Sequence, residues 1–493
     1  MNRAPKIYES QLYSIWKNQE YKEALETISG DEIEVLDPGV LTPDVGGPDF
    51  KNARIRIGNL TYVGDIEIDP DYNDWKSHGH NIDTKYEKVI LHISLTNKFS
   101  QPYVYTKDGR KVPTICLSTL VDDELISEME HDTDADKSGS LHKIRCFEMN
   151  EIVPLEAKEK FISQLGMERF NKKCSRIYSR LKELEYLREL NIKEPVITYD
   201  LSPAFHERQF VHEDFKDRTI WEQLLHELLF EALGYSKNKT VMMNLAQYAN
   251  VEFLKQVAKQ GDDIQLIEAA LFKISGMIPD MDKIPEEATR KYAIGLDNIW
   301  NSVCSDYDGK SLEMSQWHFF RLRPQNFPTV RLAGGARIFK EIAANNLIGT
   351  MIKKIDEIRN LTVLINSLRS LFVIKSEGFW QRHYVFDQSA KSEIKYFVGA
   401  SRADEILINV ILPYFSVYFE IFGNEYLAKK VLKLYNIFNQ RSDNKIINEV
   451  ADSLQMSDYM KKTIYAQGMM ELFRSYCSKN KCLECEIGKI VFN

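Results

Sequence analysis

An α+β protein, with a small mixed α/β head and a large all-α body, is the fold class that three features of this sequence predict. Short alternating stretches, a Gly58-Asn59 turn and Pro/Gly-rich loops crowd roughly the first quarter of the chain. A polar stretch without periodicity follows, His131 to Ser140. From Leu155 onward apolar residues recur at helical spacing almost to the end. The boundaries so predicted are a head over 1–130, a linker over 131–154, and helical domains over 155–332 and 333–493, the last closing in a cysteine cluster.

Composition narrows the class. A chain of 493 residues, 44% hydrophobic and 28% charged, has the make-up of a globular protein with a substantial core. The formal net charge of −8 excludes a protein that coats nucleic acid through bulk charge, but leaves room for a local basic groove. The opening Met1-Asn2-Arg3-Ala4-Pro5-Lys6 has no signal-peptide character, and the cysteine count of seven is odd. Both observations predict a reduced, cytoplasmic protein. The run Ile406–Phe422 has the length of a membrane span, yet Asn409, Pro413 and Glu420 interrupt it, so a buried helix and no membrane partner are expected.

In the head, Ile7, Leu12, Ile15 and Trp16 predict a helix over 7–18, with Glu9 in its first turn, where the dipole favours a carboxylate. Glu32–Asp37 alternates and stops at Pro38-Gly39. Ala53–Ile57, the Gly58-Asn59 turn and Leu60–Ile68 form a hairpin. Asp83–Glu87 reads as the end of a short helix feeding a buried strand, Lys88–Leu95. Lys111–Leu117 is a further strand, and Val121–Glu130 a helix.

The chemistry concentrates between Thr42 and His80. Asp49 precedes one strand, and Asp65, Glu67 and Asp69 share a face of the next because side chains alternate. Converging at one sheet edge with Glu9, the carboxylates Asp49 and Glu67 suit Mg²⁺ or Mn²⁺, one of whose waters can attack a phosphodiester. His78 and His80 follow within one loop as general acid, base or ligand. The alternative is plainer: Asp49 caps a turn, Glu67 is solvated, and the histidines lie in a loop. His92, inside the apolar run, is expected to be a satisfied core histidine.

Helix, three strands, helix and strand, carrying Pro48-Asp49 and Glu67-Ile68-Asp69, resemble the PD-(D/E)XK nuclease fold. That resemblance implies that Asp49 and Glu67 hold Mg²⁺ and that Glu9 matches the helix-one carboxylate; Asp69, on the same strand face as Glu67, joins Asp49, Glu67, His78 and His80 in the candidate catalytic set. The sequence departs from the pattern where Asp69 stands in place of the lysine, leaving His78, His80 or Lys76 to supply the positive charge. Endonucleases of the very-short-patch repair type are similar in using histidines in a related core.

At the other end, Cys477-x₄-Cys482-x₂-Cys485 gathers three thiols within nine residues, a spacing suited to Zn²⁺ or an iron–sulfur cluster. Cys146 is the preferred fourth ligand, with His383 behind it, and the expected role is a structural staple. Trp317, Arg321, Arg323, Asn326 and Arg331 could contact phosphates and a base, but a structural corner is the favoured reading. Phe379–Tyr384 is read the same way. Lys172, Lys173, Arg176 and Arg180 form a basic helix face, expected to be solvated.

Over nearly its full length the chain is similar to the bacterial family catalogued as domain of unknown function 2851. The similarity rests on Gly47–Ile55, Gly64–Glu67, Asp74-Trp75 with His78 and His80, Arg321–Pro328, and Tyr476–Gly488. It implies a histidine two residues after Glu67, where Asp69 stands, and no particular activity. Together these features predict a metal-dependent nuclease acting on DNA or RNA. The rival is a non-catalytic nucleic-acid-binding or scaffold protein with a degenerate nuclease core.

Overall fold

The computed structural model describes residues 9–19, 21, 24–42, 47–120, 144–147, 150–190, 203–280, 284–304, 307–319, 322–386, 388–390, 392–440 and 444–492. The helix expected over Val121–Glu130, the linker His131–Ser140 and Arg321 lie outside those residues. The chain divides into two compact units, Met1–Leu141 and His142–Asn493, and has the α+β make-up expected: a mixed sheet first, then a large helical body.

The first unit opens with helix α1 (Glu9–Asn18) and strands β1 (Leu25–Glu26), β2 (Glu32–Asp37) and β3 (Val40–Leu41). Strand β4 (Phe50–Ile57) and strand β5 (Leu60–Asp71) follow as the predicted hairpin, with Ile57 opposite Leu60. Helix α2 (Asp74–Ser77), two short 3₁₀ turns and strand β6 (Val89–Thr96) come next, then β7 (Tyr103–Tyr105) and β8 (Lys111–Cys116). The sheet order is β1-β2-β4-β5-β6-β8-β7, with β3 on β4. Pairing is antiparallel from β1 to β5 and parallel across β5–β6–β8. Strand β5 runs past the predicted end at Ile68, because the parallel ladder continues to Asp71 opposite Thr96.

Alternation along β5 separates two layers. Ile66 and Ile68 face Leu12, Ile15 and Trp16 of α1 with Leu91 and Ile93 of β6, a fully buried apolar layer. Each such side chain contributes about 1.5–3 kcal/mol. Glu67 and Asp69 face the other way, under Trp75 and Tyr86, which pack with Val89, Val104 and Val112. Trp75 Nε1 donates to Tyr105 O at 3.0 Å and Tyr72 OH to Tyr103 O at 2.7 Å, tying the segment after β5 to β7.

The second unit is built on helix α3 (Leu155–Glu189), against which helices Thr463–Ser475 and Leu412–Ile421 pack. One apolar cluster runs from Phe170 to Ile464, continuous through position 332. The run from Ile406 is helix to Ile421 and largely buried as far as Phe419, with a π turn at Leu407–Ile411 before Pro413, which has no N–H to give. No helix among the described residues is long and apolar enough to cross a membrane.

The basic face of α3 is not simply solvated. Arg176 makes a two-pronged pair with Glu231 at 2.6 and 2.7 Å, and Arg180 with Glu227 at 2.8 and 3.0 Å. Lys173 Nζ donates to Asn409 Oδ1 at 2.7 Å and Gln467 Oε1 at 2.8 Å. Periodicity on one helix cannot reveal the acidic partners that neighbouring helices bring to it. The Trp317 stretch is a structural corner: Trp317 Nε1 donates to Ser275 O at 2.8 Å, and buried Arg331 bonds Phe397 O, Tyr235 OH and Asn326 Oδ1.

Gly64 sits where β5 passes β6, and a Cβ there would lie 2.5 Å from both Lys88 O and Ile90 Cγ2. Gly64→Ala is expected to cost about 1–3 kcal/mol through overpacking. Urea unfolding of wild type and variant checks it, and unchanged stability would show that the two strands can part at no cost.

Candidate functional site

The site lies on the α2-facing side of β5 and begins where the β4–β5 ladder ends. The last matched pair is Phe50 with Ile66. Beyond it the Ile68 N–H donates to Asp49 Oδ2 at 3.0 Å, so a side chain takes over where backbone pairing stops. Tyr13 OH of α1 donates to Asp49 Oδ1 at 2.6 Å. The Asp49 N–H in turn donates to Glu67 Oε2 at 3.2 Å. Between Phe50 and Ala53 the ladder carries a bulge with Asn52 at φ 58, and Asp65 Oδ1 accepts the Asn52 N–H at 3.1 Å. Asp65 is thus a buried support for the bulge.

Asp69 is the hub. Its Oδ1 lies 3.1 Å from His78 Nδ1, its Oδ2 3.1 Å from His92 Nε2, and the same Oδ2 3.6 Å from His80 Nδ1. Glu67 Oε1 is 3.4 Å from His80 Nδ1. Glu67, Asp69, His80 and His92 are buried, and the His78 side chain is 29% exposed. Burial pushes the Asp69 carboxyl up, but the bonds to His78 and His92 and the charges of His92 and His80 outweigh it, leaving the carboxyl well below its usual range. Burial, with the charges of Glu67, Asp83, Asp49 and Asp69 around it, pushes the Tyr86 phenol far above its usual value.

Aromatic rings hold the imidazoles in place. Tyr86 stacks on His80 with centroids 4.1 Å apart and planes 12° from parallel. Trp75 meets His80 and His92 edge-on, each at 5.3 Å.

The sequence expectation centred the metal on Asp49, Glu67 and Glu9. Among the described residues, the donors that lie within 4.8 Å of one another are Asp69, His78 and His80, one carboxylate with two imidazoles. Asp49 and Glu67 are neighbours, joined through backbone and side chain as above. The Glu9 side chain lies outside the described residues, although its place in α1 is described. Lys76 is exposed on α2. His92 is buried as expected of a core histidine, but its Nε2 belongs to the site. The signal for that was the register Glu67 opposite His92, which a parallel pairing makes and no local pattern displays. Tyr13 and Tyr86 were missed because each reads as an ordinary apolar position.

In the second unit Cys146 and Cys485 share one apolar cluster, and Cys477 packs against it. Burial, reinforced by the neighbouring Cys485 and Cys482, pushes the Cys146 thiol up to about 11. Burial with Cys146, Cys485 and Cys482 pushes the Cys477 thiol up to about 12. His383, the reserve ligand, is engaged elsewhere: its Nε2 lies 3.0 Å from Glu286 Oε2 and its ring stacks on Phe379.

Among known proteins, the family described as "Protein of unknown function (DUF2851)" matches residues 9–190 and 207–444. No curated protein and no solved structure matches the chain.

The folded value of Asp69 lies below its ordinary 3.8, so the stability that its ionised form contributes is complete above 3.8. That stability is lost as pH falls toward the folded value. In metal-free protein, wild type should exceed Asp69→Asn in stability at pH 6, with the gap narrowing below pH 3.8. Urea titrations across that range measure it, and a gap that does not depend on pH would assign the effect to packing.

Proposed function

The chain belongs to the family of proteins of unknown function DUF2851, and on the geometry of its first unit we propose that it is a metal-dependent phosphodiester hydrolase acting on nucleic acid. The observation that carries this reading is the convergence of Asp69, His78 and His80 beside Glu67 at the end of β5. Two imidazoles and a carboxylate suit Mn²⁺ or Zn²⁺ better than Mg²⁺, which prefers oxygen throughout. An ion held by these three would acidify a bound water and polarise a phosphoryl oxygen. Glu67, 3.4 Å from His80, is near enough to take up a proton. His92 orients Asp69 from behind, as an outer hydrogen-bond partner does in metal sites. His78, the ligand whose side chain is 29% exposed, lies on the side from which a phosphate would reach the ion.

The element order supports a nuclease-like core. Helix α1 precedes antiparallel β2, β4 and β5, and the helical segment after β5 leads to the parallel β6. A cytoplasmic setting suits seven cysteines that are all free thiols. Burial favours a second reading, in which the same site is a structural pin in a non-catalytic nucleic-acid-binding or scaffold protein: Glu67, Asp69, His80 and His92 lie beneath Trp75 and Tyr86.

The deciding experiment incubates the full chain with labelled DNA and RNA in Mn²⁺, Zn²⁺ or Mg²⁺, beside Asp69→Asn and His80→Ala. Metal-dependent cleavage reduced in both variants by roughly 100-fold or more is the expected result. Metal binding without cleavage by the folded wild type would replace the hydrolase with the binding protein.

A further inference from the structure

The second unit ends in a device the hydrolase reading does not use. Cys477, Cys482 and Cys485 stand on two consecutive tight turns. Asn480, at φ 56, reverses the chain after Cys477 and returns its N–H to Cys477 O at 3.1 Å. Lys481 N–H reaches back to Tyr476 O at 2.9 Å, and Cys485 N–H closes the second turn on Cys482 O at 3.1 Å. Gly488 lies so close to the Cys482 turn that a Cβ there would fall 2.1 Å from Cys482 O. Only glycine lets the two segments approach.

More than 300 residues earlier in the chain, Cys146 is buried in the same apolar cluster as Cys485 and Ile487. Cys477 packs against the same cluster. No disulfide joins any of them. With His383 held by Glu286, the fold brings Cys146, Cys477 and Cys485 to one apolar cluster, and Cys482 opens the turn that leads into Cys485.

We propose that Cys146, Cys477, Cys482 and Cys485 form a four-thiolate metal centre that fastens the C-terminal turns to the segment entering the second unit. Four thiolates close the coordination shell of Zn²⁺ and equally hold an iron–sulfur cluster, and both are sulfur-ligated centres of the same structural kind. No open position remains for a substrate, so the centre is a staple. It supplements the apolar cluster around Cys146, Val153, Ile487 and Val491, the smaller of the two among the described residues of this unit.

The test is metal content of the full chain, purified anaerobically without added metal. Zinc, iron and acid-labile sulfide are measured together with absorption near 400 nm. About one zinc per chain without colour, or on the order of four irons with sulfide and colour, supports the centre and says which form it takes. Asp69→Asn, which disables the first-unit site, should keep this metal, so that failure of the hydrolase and failure of the staple are told apart. Cys146→Ser and Cys477→Ser should each lower the content at least tenfold. Less than a tenth of an equivalent in folded Asp69→Asn protein would overturn the proposal, and so would metal retained in Cys146→Ser. Should the cysteine variants not fold, hydrogen exchange on Asp69→Asn protein decides instead. Stripping its metal should speed exchange at 144–147 and 477–492 and leave 50–96 unchanged. Equal protection before and after stripping would refute the staple.

Discussion

The first unit depends on one carboxylate at the end of a ladder. Strand β4 stops pairing at Phe50, yet β5 continues for several residues and would expose amides along that edge. Asp49 takes the Ile68 N–H and is held by Tyr13 from the helix on one face of the sheet, while its own N–H reaches Glu67. Covering an edge in this way keeps β5 extended. Extension in turn puts Glu67 and Asp69 on one face and Ile66 and Ile68 on the other. The same residue therefore joins core, edge and site.

Burying two carboxylates and two imidazoles under Trp75 and Tyr86, with His78 partly exposed beside them, is costly unless each charge finds a counterpart. Asp69 meets that requirement with three imidazoles around two oxygens, which is why its carboxyl remains ionised despite burial. Glu67 is satisfied by a backbone N–H and by His80. The ring stacking of Tyr86 on His80 and the edge contacts of Trp75 restrict the imidazoles to few orientations.

Much of this was legible without coordinates. The hairpin at Gly58-Asn59, the strands at 32–37 and 88–95, the helix ending at Asn18 and the helical body all follow from local period and turn chemistry, which act over a few residues. The short helix expected to end at Glu87 became α2 and two 3₁₀ turns, because the segment is tied to β7 by Trp75 and Tyr72. The basic stripe on α3 looked solvated because its acidic partners, Glu227 and Glu231 among them, come from other helices.

By itself, then, the sequence determined the division into a sheet-bearing head and a helical body, the stretch in which the chemistry sits, and the identity of Asp69, His78 and His80 as candidates. Those properties reside in spacing along the chain. Only tertiary structure decided which donors meet. The parallel register that sets Glu67 beside His92, the loop that turns His78 and His80 back onto Asp69, and the fold that carries Cys146 into one apolar cluster with Cys485 and against Cys477 are pairings between distant segments. Local propensity carries no information about them, because they are selected by the burial of apolar faces and the pairing of backbone groups across the whole unit.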